Sequence, residues 1–211
     1  MSDVEAKEPG GGKKPSRAKK LQKAQALLAA ALRQHRHLRS RTKERFLKVA
    51  ASLLDRFSEA ALDRFGQHVK EYCFYASFDE LTAGVKERFP GLRVKPGSLI
   101  KGMFDRAGTL HLDDAGSLFG QPVRLEEFYA HEMTHALDGP EHEISESPAW
   151  KKAWKAEMVK KGLLGANAAT KPWEGLADFG RLVFASGLEK EQVRELLPRC
   201  TKVWEDLGLW D

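Results

Sequence analysis

A chain of 211 residues with 42% hydrophobic and 31% charged residues has enough apolar material for one ordinary core and is not composed like a disordered or membrane protein. No apolar run approaches bilayer-spanning length, and the opening MSDVEAKEPGGGKKPSRAKK lacks the apolar stretch and cleavage site of a secretory signal. The default expectation is therefore a cytoplasmic protein without membrane contact, with signal-independent export the alternative.

The net charge of +5 is concentrated at the front, where residues 1 to 48 hold 14 Lys/Arg against 4 Asp/Glu and the remainder 21 against 26. Residues 1 to 20 mix Gly and Pro with Lys and Ser and read as a disordered basic tail. Together with RQHRHLRSRTKER this tail could make a weak contact with nucleic acid or another polyanion. No base-reading motif accompanies it, so a solvated tail and a charged helix surface is the plainer reading.

From Leu21 the sequence LQKAQALLAAALRQHRHL is rich in helix formers. A second stretch places Phe46, Val49, Ala50, Leu53, Leu54, Phe57 and Ala61 in one apolar stripe that faces a core. Beyond FPG, the segment SLIKGMFDRAGTLHLDD reads as two strands around a turn at Ala107 and Gly108, with TLHLDD alternating as a half-buried strand does. PVRLEEFYAHEMTHALDGP follows as a helix stopped by Gly139 and Pro140. Pro148 and Pro172 each open a further helix, and Pro198 kinks or restarts the last one. Helices, a small antiparallel strand region and more helices make a mostly helical α+β fold. The expected organisation is the tail at 1–20, a helical part at 21–79 and the part that carries the chemistry at 80–211, with 21–211 forming one compact domain. Cys73 and Cys200 lie far apart and outside any CxxC pattern, as buried thiols do.

The chemistry concentrates in HEMTHALDGPEH. His131 and His135, four apart on a helix, project from one face and can bind one ion. Glu132 sits beside the place where an activated water would lie, which is the HExxH arrangement of zinc peptidases: two ligands and a general base. Three residues compete for the third ligand. Asp138 shares the helical face of His135. His142 follows Gly139 in imitation of HExxHxxGxxH, but both residues are displaced by one position. Glu174, in PWEGLADFGR, opens a separate helix with Asp178 one turn later, a pair able to divide ligation from orientation of a ligand histidine. Elsewhere, Tyr129 points off the ligand face, and His35, His37 and His68 read as structural or solvated.

HEMTHALD followed 39 residues after His135 by EGLAD resembles the gluzincin class of zinc metallopeptidases. More narrowly, residues 95 to 208 are similar to the lethal factor-like peptidase domain of anthrax toxin and its bacterial relatives. This resemblance implies a zincin-like fold, one Zn2+ per chain held by His131, His135 and Glu174, and Glu132 as the base. It further implies a peptide or protein substrate and the TLHLDD strand as an edge for an extended peptide; Asp138, like Asp178, is a candidate outer partner by its place on the helix. Those relatives carry a tyrosine about seven residues before the glutamate ligand, and Asn167 stands there in this chain. His111, His142 and Asn167 are the candidates for the missing oxyanion or substrate contact. The competing reading is a polyanion- or protein-binding module with a structural or vestigial zinc site.

Overall fold

The computed structural model describes residues 16–34, 38–90, 102–114, 117–118, 121–122, 124–162 and 166–210; residues 1–15, His35 and His37 lie outside them. Three helices open the fold: α1 (Arg17–Gln34), α2 (Ser40–Asp55) and α3 (Glu59–His68). Helix α1 begins inside the stretch read as a tail. The apolar stripe at 46–61 is buried throughout, but it crosses two helices. Ser58 separates them and accepts the Ala61 N–H at 3.0 Å as the N-cap of α3.

Next come β1 (Glu71–Tyr75), α4 (Phe78–Arg88), β2 (Gly102–Phe104) and β3 (Thr109–Asp113), followed by the two-residue strands β4 (Ser117–Leu118) and β5 (Gln121–Pro122). The main sheet has the order β1-β3-β2, with β1 parallel to β3 and β2 antiparallel to it. This corrects two expectations. The sheet is mixed, because β1 enters from the helical part, and TLHLDD is the central strand, not an edge. It is buried along its whole length because α4 packs on it as well as the helical core, and a strand covered on both faces has no solvent side. The boundary placed between residues 79 and 80 falls within α4, and the sheet joins strands from both sides of it.

The remaining helices are α5 (Leu125–Asp138), α6 (Pro148–Trp154) continued by a π-helical turn at Lys155–Val159, α7 (Ala166–Thr170), α8 (Pro172–Ala185), α9 (Lys190–Leu196) and α10 (Pro198–Asp206). Pro198 restarts the chain rather than kinking it. The buried Glu157 carboxylate of the π-helical turn accepts the Arg199 and Cys200 N–H groups at 2.8 and 3.0 Å, supplying the cap that α10 lacks from its own sequence.

Helix α5 is central, packing against α2, α3, α8, β2 and β3. Phe128, Tyr129, Met133, Ala136 and Leu137 are buried, so it is apolar over most of its circumference, as an interior helix must be. Its C-terminal end is fixed from α3: Arg64 Nε donates to the Leu137 carbonyl at 2.9 Å and His68 Nδ1 to the Ala136 carbonyl at 2.8 Å. Gly139 then turns with φ of +80°, and a side chain there would meet the His68 ring at 2.7 Å. Cys73 and Cys200 are free thiols.

Candidate metal centre

Two helices build the site. His131 and His135 leave the same face of α5 because they are four residues apart, and Glu174 lies in the first turn of α8, where a carboxylate is favoured by the helix dipole. His131 Nε2 lies 3.5 Å and His135 Nε2 3.9 Å from Glu174 Oε2. One ligand atom from each of the three falls within 4.8 Å of the others, a group that could hold a metal ion. Two imidazoles and a carboxylate suit a borderline ion, with room left for a non-protein ligand.

The helix carrying Glu174 is placed by α6. Trp150 Nε1 donates to the Pro172 carbonyl and Trp154 Nε1 to the Ala168 carbonyl, each at 3.0 Å. Asp178, one turn beyond Glu174, accepts from His131 Nδ1 at 3.2 Å, so the imidazole presents Nε2 toward Glu174.

Glu132 is buried beside the cluster, under β2. A side chain at Gly102 would meet its Cγ at 2.5 Å and Cδ at 2.7 Å, so only a glycine lets the strand lie this close. Burial pushes the Glu132 carboxyl up to about 7, with Glu174 and Asp113 adding to the effect and His131 opposing it. Burial likewise pushes His135 down to about 3, helped by the charge on His131. Burial also opposes charge on His131, but its hydrogen bonds with Asp178 and Glu174 outweigh that and hold it up at about 10. The same bond to His131 holds Glu174 below the usual carboxylate range.

At pH 7 His131 therefore carries a proton that an incoming metal must displace. Apparent metal affinity should rise by up to about tenfold per pH unit from pH 7 toward 9. A competition titration across that range measures it, and a flat profile would show that no His131 proton is displaced there.

None of the other described sequence candidates belongs to this group of ligand atoms. Asp138 is fully buried, and its carboxylate accepts from Ile144 N, Ser145 N, Ser145 Oγ and His142 Nδ1 at 2.6 to 3.0 Å, organising the turn that follows α5. His142, held there with φ of +56°, stacks on Trp173 at 5.1 Å beside Glu174 and remains 41% exposed. His111 is buried on β3, donating to Asp105 Oδ2 and accepting from the Tyr75 hydroxyl, each at 3.0 Å. Burial lowers its pKa, with the bond to Asp105 opposing the effect, and its two hydrogen bonds tie it to a network on the α4 side of the sheet that also holds Arg88. The Asn167 side chain lies outside the described residues.

Sequence reasoning missed the glycines that set the helix distances. A side chain at Gly180 would lie 1.9 Å from Thr134 Oγ1, and one at Gly175 2.4 Å from Trp154 Nε1. Their signal was available: two glycines within one helix cost about 1 kcal/mol each relative to alanine, which implies a compensating close approach.

No protein-family model and no curated protein matches the chain. Among solved structures, the fold is similar to that of a Pro-Pro endopeptidase from Paenibacillus alvei, with a TM-score of 0.53 and 17% identity over 76% of this chain and 91% of that one. The chain thus has a mostly helical fold with a small mixed sheet like that of an endopeptidase, and on it a His/Glu cluster able to hold a metal ion.

Proposed function

We propose that the protein is a zinc metalloendopeptidase of the gluzincin type, related in design to lethal factor-like peptidase domains. The observation that carries this reading is the convergence of His131, His135 and Glu174 within 4.8 Å, with the buried Glu132 next to them in sequence. Zinc fits this donor set, and when bound it supplies Lewis acidity that polarises a carbonyl and acidifies water. Glu132, held up at about 7, is suited to take the proton from the attacking water and return it to the departing amine. Asp178 keeps the His131 ring in its ligating orientation.

The extended peptide is better received by β2 than by β3. Among the described residues no strand pairs with the outer edge of β2, and Gly102 of that strand lies directly over Glu132. Backbone pairing there would bring a carbonyl to the base.

The test is cleavage of an unstructured protein such as casein. Activity should disappear on chelation, return with about one equivalent of zinc per chain, and remain absent when magnesium is supplied instead. Chelator-resistant cleavage would overturn the proposal.

A second reading adds a docking function at the front of the chain. Lys19, Lys23, Arg33, Arg39, Arg41 and Lys48 are exposed on α1, α2 and the turn between them, and none makes an ion pair among the described residues. A basic face of this kind fits a polyanion. Binding to heparin that weakens steeply with salt and on replacing Lys23, Arg33, Arg39 and Arg41 by glutamine would support it, whereas salt-insensitive binding would count against it. Among the described residues no helix is long and apolar enough to cross a membrane.

A further inference from the structure

The seam between α5 and α8 continues past the metal ligands. Along α5, Glu127, His131 and His135 succeed one another at four-residue steps on one face. Along α8, Glu174, Asp178 and Arg181 do the same at steps of four and three. The two rows meet in opposite order: His135 and His131 approach Glu174, His131 bonds Asp178, and Glu127 meets Arg181.

Arg181 reaches two carboxylates at once. Its Nε lies 3.4 Å from Asp178 Oδ1, the same oxygen that accepts from His131, and its Nη1 lies 3.5 Å from Glu127 Oε2. The geometry points to Arg181 as a positioning residue for the metal centre: its forked head fixes the Asp178 carboxylate against α5, and through Asp178 it fixes the His131 ring. This rests on His131 being a metal ligand, as proposed above, but not on the protein cleaving peptides.

Two physical effects pull in opposite directions and make the inference decidable. Arg181 is 44% exposed, so its positive charge repels a bound cation only through screened solvent, and losing that charge would tighten binding by about twofold or less at physiological salt. Losing an outer partner of a ligating histidine loosens metal binding by roughly 10- to 100-fold. Arg181 stands one step further out than Asp178, which places its effect at the lower end of that range. Positioning should therefore win over charge.

The experiment is direct titration of the full chain with zinc against a competing chelator. Arg181→Ala is expected to weaken zinc binding about tenfold, by the same factor in 0.5 M salt, with the circular-dichroism spectrum and melting point of the metal-free protein near wild type. Arg181→Lys keeps the charge but cannot span both carboxylates, and should bind nearly as weakly as the alanine variant. In an Asp178→Asn background, Arg181→Ala should change little, because the effect passes through Asp178.

Unchanged or tighter binding in Arg181→Ala, full recovery with lysine, or additive losses with Asp178→Asn would each overturn the role given to Arg181. A wild-type chain that binds no zinc would overturn the metal centre itself, and Arg181's role with it. Zinc binding without peptide cleavage would overturn only the peptidase reading.

Discussion

Glu132→Gln is expected to leave zinc bound and to lower peptide cleavage by on the order of a thousandfold. The substitution keeps the shape of a side chain that fits between α5 and Gly102, and it touches none of the three ligands. It removes a buried carboxylate whose proton affinity, about 7, matches proton transfer at neutral pH. Because the wild-type carboxylate is buried at an energetic cost, the amide should not destabilise the metal-free fold, and above pH 7 it should stabilise it. The sign follows from linkage. A carboxyl whose folded pKa is raised contributes stability below its unfolded value near 4.5 and loses it as pH rises through 7. Metal content and kcat measured on the same preparation provide the check, and undiminished cleavage would take the base role from Glu132.

The second large effect lies at a residue without a side chain. Gly180→Ala should cost about 2 to 3 kcal/mol of stability and weaken zinc binding by about tenfold or more. The added methyl would sit 1.9 Å from Thr134 Oγ1 and 2.7 Å from its Cβ and Cγ2. Thr134 has no room to yield, being fully buried with its hydroxyl donating to the Ala130 carbonyl at 2.7 Å. The contact is therefore relieved by moving α5 and α8 apart. That motion separates His131 and His135 from Glu174, and a ligand set tolerates displacements of only a few tenths of an ångström. Gly66→Ala is the matching control: it lies within α3 and meets nothing within 4 Å, so it should be neutral or stabilise by up to about 1 kcal/mol. Zinc affinity and thermal unfolding of the two variants separate seam geometry from helix propensity. Gly180→Ala behaving like Gly66→Ala would show that the seam adapts.

Much of the site was legible because its logic is local. Helical spacing puts His131 and His135 on one face, and Pro172 announces the helix that carries Glu174 and Asp178. What could not be read depends on segments distant in sequence. β1 went unrecognised because EYCFY is five residues long, and its pairing is parallel with a strand nearly forty residues downstream. Without it, TLHLDD reads as the outer member of a hairpin. The alternation in that strand was visible, but its second buried face depends on α4. Asp138 shares the face of His135 by count, and only the folded turn shows its carboxylate occupied by Ile144, Ser145 and His142. Gly102 and Gly180 are defined by what approaches them, which is a property of neighbours and not of the glycines.

Arg64 and His68, which bond the Leu137 and Ala136 carbonyls of α5, widen the unit on which the candidate site depends. Neither residue is near the candidate ligands in the chain order, and the helix that bears them precedes every residue of the candidate site. Yet a shortened protein beginning after α3 would release the end of the helix on which both histidines ride. The piece of this protein that keeps the candidate site in shape thus reaches back at least to Glu59, so α3 belongs with the helix it holds.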